Sequence, residues 1–304
     1  MSAIQAAFFT FLQAGDHVIS SRSLFGTTVG FINNIVTKFG IEVSHVSPTD
    51  VDEWKAAVKA NTKLLFLETP SNPLGEVADL EALAELAHSI GALLVVDNSL
   101  LSPVGSQPLK HGADISVSSA TKAIDGHGRV MGGVLAGSEE LMTQVAVYCN
   151  SCGLAMSPFN AWQLLSGVET LSLRMEKQFD NALKIAQWLQ AQPQVQAVYY
   201  TGLPDHPQAE LIRKQQNGGG IVIGFEVADT DAAWKIVDSV ELFSRTANLG
   251  DVRSTITHPW TTTHGRMQPE EKLAANIRPG LVRLSVGLEY VDDLIDDLKQ
   301  ALAR

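Results

Sequence analysis

The sequence predicts an α/β fold: a mostly parallel sheet with helices on both faces, followed by a smaller C-terminal α/β domain. Three observations predict it. Helical and strand patterns alternate through residues 1–137. The strands there are near-continuous apolar runs, as expected of strands buried on both faces. From Ser138 the character changes, and a long helical pattern leads into a region with fewer strands.

The elements follow in order. Residues 3–14 read as a helix ended by Gly15, and HVISS (17–21) as a short strand. Residues 27–39 read as a helix ended by Gly40, followed by the strand IEVSHVS. Residues 51–60 look helical behind Asp50 as N-cap. KLLFLE (63–68) is a buried-strand pattern, Asp79 caps a helix to about Ile90, and Gly91 ends it. ALLVVD (92–97), ADISVSS (113–119) and VMGGVLAG (130–137) complete the first set of strands. Pro158 suits the first turn of a helix that runs to about Gln192. Then come VQAVYY, Gly218–Gly220 as an entry turn to IVIGFEV, a helix from about Asp229, and a loop-rich stretch 247–280. LVRLSVGLE and a last helix to Arg304 close the chain.

With 304 residues, 45% of them hydrophobic, the chain suits one large domain or two smaller ones, and the expected division is 1–157 and 158–304. No apolar run of about 18 residues is present, so no membrane-spanning helix is expected. The N-terminal MSAIQAAFFTFLQAGD is apolar but lacks a basic leader and a cleavage site, and it reads as a core helix. A cytoplasmic location follows. A net charge of −11 argues against a broad nucleic-acid surface. Cys149 and Cys152 stand as Cys-Asn-Ser-Cys with no second pair to complete a zinc site, so two reduced thiols and no metal are expected.

In open parallel sheets, ligands bind beyond the carboxyl ends of the strands. Asp97 ends one apolar strand, Ser119, Thr121 and Lys122 follow another, and Asn72 lies in the loop after a third. Alone, each has an ordinary reading: a solvated lysine, a capping aspartate, a core Phe25, an edge-strand Arg283. Together they meet the demands of a pyridoxal phosphate (PLP) site. Lys122 would bond the cofactor aldehyde. Asp97 would face the pyridine nitrogen. Ser119 and Thr121 would hold the phosphate, Phe25 would cover the ring, and Arg283 would orient a substrate carboxylate.

The motif SSATKAIDGHGRVMGG resembles the cofactor motif of the Cys/Met metabolism PLP family. LLFLETPSNP, ALLVVDNSLLSP, SPFNAWQLLSGVETLSLRM, ANLGDVRSTITHP and GLVRLSVGLE resemble further signatures of that family, in order along almost the whole chain. The resemblance implies the aspartate-aminotransferase-like fold, PLP fold type I, and self-association as a dimer of dimers. It implies that Lys122 carries the cofactor and shuttles protons, that Asp97 partners the pyridine nitrogen, and that Ser119 and Thr121 contact the phosphate. Asn72 matches a residue near the cofactor and substrate, Arg283 the carboxylate-binding arginine, and Asn248 a pocket-lining position. Phe25 stands where the family commonly has a tyrosine, and Ala123 where an aromatic often follows the lysine.

SLFGTT, the Asp-Gly-His-Gly-Arg stretch and ANLGD followed by HPWTTTHGR are similar to the family branch in which sulfide replaces succinate on O-succinylhomoserine. The expected partners are then an amino-acid substrate and sulfide, with methionine biosynthesis as the setting. Cystathionine formation, use of the acetyl ester, and γ-elimination stay open alternatives. So does a silent scaffold that partners a longer copy. The resemblance also implies a segment ahead of Met1 that contributes a tyrosine and an arginine to the neighbouring subunit's phosphate site. Met1 itself matches the tail of the phosphate loop, and the chain reads as N-terminally truncated.

Overall fold

A computed structural model describes residues 1–265 and 267–304, so Arg266, the last residue of the HPWTTTHGR motif, lies outside the described residues. The first sheet holds β1 (His17–Ser21), β2 (Glu42–Val46), β3 (Thr62–Glu68), β4 (Leu93–Asp97), β5 (Ile115–Ser119) and β6 (Gly133–Gly137). Its order is β2-β1-β3-β4-β5-β6, with every pairing parallel except β5–β6.

The continuous apolar runs have a direct explanation. Side chains alternate across a strand, and here both faces are covered. Val18, Leu64, Phe66, Val95 and Ile115 pack with Phe8 of the helix Ser2–Phe11 and Ile32 of the helix Gly26–Asn34. Ile19, Leu65, Leu67, Leu94 and Val96 pack on the other side with Trp54, Leu80 and Leu83. Each such side chain contributes roughly 1.5–3 kcal/mol on leaving water.

The second sheet has β7 (Ala197–Tyr199), β8 (Val222–Glu226), β9 (Ser244–Arg245), β10 (Thr255–Thr257) and β11 (Leu281–Ser285), in the order β7-β8-β11-β10-β9. One face carries its core: Ile223, Phe225, Ile256, Val282 and Leu284 pack on the helices Leu171–Gln190, Thr230–Ser239 and Val291–Leu302. Arg283 alternates with Val282 and Leu284 along β11, and so leaves the opposite face.

Several boundaries differ from expectation. The helix expected at 27–39 stops at Asn34 and resumes as a tighter turn, Val36–Phe39, ended by Gly40 in the left-handed region. The long helix expected from Pro158 is two, Pro158–Glu169 and Leu171–Gln190, with Thr170 out of line between them. A helix over Glu139–Cys152 carries both cysteines and was not expected; Ser138 caps it by accepting from the Leu141 N–H at 3.3 Å. The stretch 247–280 is less loop-like than expected, because it contains β10 and the helix Pro269–Ala274.

Candidate active site

β1, β3, β4 and β5 are parallel, so their carboxyl ends share one edge, and the strand order reverses between β1 and β3. The crevice at such a reversal is where open sheets hold ligands. The expected site residues of the first sheet lie along that edge, Asp97 ending β4, Ser119 ending β5, and Asn72 and Lys122 just past β3 and β5.

Asp97 is the buried last residue of β4. Its Oδ1 accepts from the Ser99 N–H at 3.0 Å and the Ser99 hydroxyl at 2.5 Å. Ser99 Oγ in turn accepts from the Ser119 N–H at 2.7 Å, tying the ends of β4 and β5 together. Burial pushes the Asp97 carboxyl up, and the two Ser99 donors oppose that.

Glu68 ends β3 in register with Asp97 and is also buried. Its Oε2 accepts the Phe25 N–H at 2.8 Å. Burial first, and the Asp97 charge second, push the Glu68 carboxyl up to about 8. Adjacent buried carboxyls do not both ionise readily. Glu68, with one donor against two for Asp97, is the one that keeps its proton at neutral pH. Phe25 caps the helix Gly26–Asn34 and is 52% exposed.

Lys122 lies in a wide turn, Ala120–Ile124, directly after β5, with φ −86° and ψ −128°, outside helical values. Its Nζ donates to Asn248 Oδ1 at 3.0 Å. Burial, and then the Arg283 charge, lower its pKa. Arg283 is 2% exposed. Its Nη2 donates to the carbonyls of Ala247 at 2.8 Å and Asn248 at 3.3 Å, and its Nη1 to Asn72 Oδ1 at 3.5 Å. Burial lowers it to about 10, so it stays charged at neutral pH. Its Nε is buried without a partner.

Lys122, Asn248, Arg283 and Asn72 thus form one hydrogen-bonded run, and Asp97, Ser119 and Phe25 are joined through Ser99 and Glu68. Thr121 is less available: its hydroxyl donates to the Gly132 carbonyl at 3.3 Å and accepts the Gly132 N–H at 3.0 Å. Met1 Sδ lies 3.9 Å from Thr28 Oγ1, on the helix that Phe25 caps.

Sequence reasoning missed Glu68, Ser99 and His264. The first had a signal, since KLLFLE ends in a carboxylate as ALLVVD does. Ser99 had only its place two residues past the strand. His264 is lowered to about 4 by burial and by the charges of Arg283 and Lys272, and the sequence holds no sign of that neighbourhood.

The donor set fits PLP. It combines an amine of lowered pKa, a buried carboxylate, an aromatic ring at the opening and a buried guanidinium with an unspent N–H. The family model for Cys/Met metabolism PLP-dependent enzyme matches residues 1–303. The chain is 50% identical over 304 residues to the O-succinylhomoserine sulfhydrylase of Pseudomonas aeruginosa, covering 100% of this chain and 75% of that protein. It is 41% identical over 308 residues to an L-methionine gamma-lyase of Fusobacterium nucleatum subsp. polymorphum, covering 100% of this chain and 78% of the other. Among solved structures, cystathionine gamma-lyase from Lactobacillus plantarum complexed with L-serine superposes with a TM-score of 0.95 at 34% identity, covering 99% of this chain and 79% of the other.

Proposed function

The chain belongs to the Cys/Met metabolism PLP-dependent enzyme family, and from that premise we propose that it exchanges the γ-substituent of an activated homoserine ester. In the reading favoured here, O-succinylhomoserine and sulfide give homocysteine and succinate, a carbon–sulfur bond-forming step in methionine biosynthesis. Amino-acid chemistry is supported by the run Lys122–Asn248–Arg283, which sets an amine of lowered pKa beside a buried guanidinium. The choice of succinyl ester and sulfide rests on the Pseudomonas aeruginosa relative.

PLP, when bound, supplies an electron sink for the substrate α-carbon. Lys122 would hold it, Asp97 would partner its ring nitrogen, Phe25 would cover the ring, and Ser119 would contribute to the phosphate grip. Ser99 keeps Asp97 oriented and opposes the upward push of burial on its carboxyl by giving it two hydrogen bonds. The lowered pKa of Lys122 makes its neutral amine more available to take a proton. Asn248 Oδ1 aims that amine. Arg283 would grip the α-carboxylate, and alignment of the reacting bond follows from that fixed point.

Residues 1–157 and 158–304 are read as a cofactor-binding unit and a connecting-helix-plus-small unit. Self-association into a dimer of dimers is part of the same reading. It is supported by Phe159, Trp162, Leu165 and Val168, which recur every third residue on one helix and are each more than half exposed.

Supplying PLP, reducing with borohydride and mapping peptides tests the first layer. The label belongs on Lys122, and a label on another lysine would refute the assignment. Equal release of homocysteine and succinate tests the second layer. Release of a keto acid and ammonia would instead mark γ-elimination.

A further inference from the structure

The helix Leu171–Gln190 carries a buried polar stripe that the chemistry above does not use. Arg174, Gln178 and Asn181 lie at spacings of four and three on one face and are 5%, 0% and 0% exposed. Their helix is otherwise buried through apolar residues such as Met175, Ala182, Ile185 and Leu189. Polar groups placed there must be matched by partners.

Nearly every donor of the stripe ends on a backbone carbonyl. Arg174 Nη1 donates to Ala123 O at 2.8 Å, and Nη2 to Ile124 O at 3.2 Å and Gly167 O at 2.7 Å; Nε donates to the Thr170 hydroxyl oxygen at 3.1 Å. Gln178 Nε2 donates to Asp251 O at 3.0 Å and Val286 O at 2.8 Å. Asn181 Nδ2 donates to Gly287 O at 3.1 Å and Glu289 O at 2.9 Å. The carbonyl oxygens of Gln178 and Asn181 have no partner, a cost that an apolar side chain would not carry.

The clasped carbonyls belong to the segments that build the site. Ala123 and Ile124 follow Lys122, Asp251 is in the loop of Asn248, and Val286 follows the strand of Arg283. The clasp is close. A Cβ at Gly126, whose φ is +69°, would collide with the Arg174 guanidinium, and one at Gly167 would collide with Ile124 O. Gly126 also joins the two loops, because its N–H donates to Lys122 O at 2.8 Å and its carbonyl accepts the Val252 N–H at 2.7 Å.

We propose that Arg174, backed by Gln178 and Asn181, is a positioning residue: through the backbone carbonyls after Lys122 it holds the Lys122 amine on Asn248 and beside Arg283. The proposal rests on the reading of Lys122 as the cofactor lysine. Arg174 makes no contact of its own with the reacting groups.

Arg174→Met and Arg174→Lys test it in the cofactor-free protein. Trace acylation of Lys122 across pH, with peptide mapping, reads the protonation midpoint of that one amine. Burial first and the Arg283 charge second lower that amine, and neither Arg283 nor its partner Asn248 is altered in either variant. In the parent protein the midpoint lies below that of an ordinary lysine. In R174M the loosened turn moves it up by about one pH unit, the size of one lost environmental effect. R174K keeps the charge but not the planar fork, and moves it part of the way. A loss of stability alone leaves the midpoint in place. The proposal is overturned if R174M labels at the parental midpoint, or if R174M shifts while R174K does not, since removal of a nearby charge then explains the shift. If R174M does not fold, R174K decides: a raised midpoint supports the proposal and a parental one overturns it. Borohydride mapping judges the Lys122 reading separately.

Discussion

Replacing Arg283 with lysine probes the carboxylate grip at its most demanding point. Arg283 sits mid-strand in β11, paired with Gly224 on one side and Thr257 on the other, and is 2% exposed. A guanidinium has five N–H donors. Three hydrogen bonds go to Ala247, Asn248 and Asn72, and Nε is unspent, so a donor remains for a carboxylate. A lysine cannot serve both the resident carbonyls and a carboxylate in that planar geometry. Losing one charge-assisted hydrogen bond costs about 1.5–3 kcal/mol. That is roughly a 10- to 150-fold weaker grip on the amino acid. Burial would also depress the new ammonium. The apparent KM for O-succinylhomoserine should therefore rise by that factor near neutral pH, and rise further toward about pH 9. The parent should rise less over that range, since Arg283 is lowered only to about 10. PLP affinity, followed by absorbance titration, should change little. A variant with parental KM across this range would refute the carboxylate role.

Asp97→Ala should keep most of the PLP affinity but lower kcat by about 10³-fold, the scale of roughly 4 kcal/mol for a close charge pair at an effective dielectric of 20; parental turnover would remove Asp97 from the mechanism. Glu68→Gln tests the neighbouring carboxyl. The carboxyl titrates at about 8 when folded against an ordinary 4.5, so between those values the folded state keeps a proton that the unfolded state releases. Stability attributable to Glu68 is present below the lower value and lost as pH rises through the upper one. Denaturant unfolding of the cofactor-free protein should accordingly show the variant gaining on the parent from pH 5 to pH 8 (about three units, spanning that window); an equal difference at both ends would contradict the assigned proton. Asp297→Ala should cost about 3 kcal/mol or more of stability, since Asp297 accepts from the N–H groups of Glu241 at 2.8 Å, Leu242 at 2.8 Å and Phe243 at 3.3 Å. An undiminished unfolding midpoint would show those donors finding other partners.

β3 and β4 were legible because burial on both faces writes itself as near-continuous apolar runs, and the carboxyl ends of the parallel strands pointed to Asp97 and Lys122. What escaped has physical causes. The helix Glu139–Cys152 buries only Val145 among its residues, so it has little apolar stripe to read. The helix expected over 27–39 has apolar residues on both sides of Ile35, and periodicity cannot register that its hydrogen bonding tightens there. Glu68 and Ser99 matter through register and through a bridge between neighbouring strands. Such pairings arise only when the sheet is assembled. The contacts of Arg283 with Asn72 and Asn248 span 211 and 35 residues, and a linear pattern holds no record of such distances.

The place of β11 bears on how the chain is made. It is the central strand of the second sheet and yet the last strand synthesised. On the ribosome, β1 to β6 can pair early, bringing Glu68, Asp97 and Lys122 to one edge while β8 and β10 still lack the neighbour that lies between them. The nascent molecule therefore brings Glu68, Asp97 and Lys122 together well before Arg283 takes its place in the second sheet. A stalled chain ending ahead of Leu281 would have an organised first sheet and an open second one. Arg283, the proposed carboxylate partner, thus joins the sheet only after both strands that flank β11 have been made.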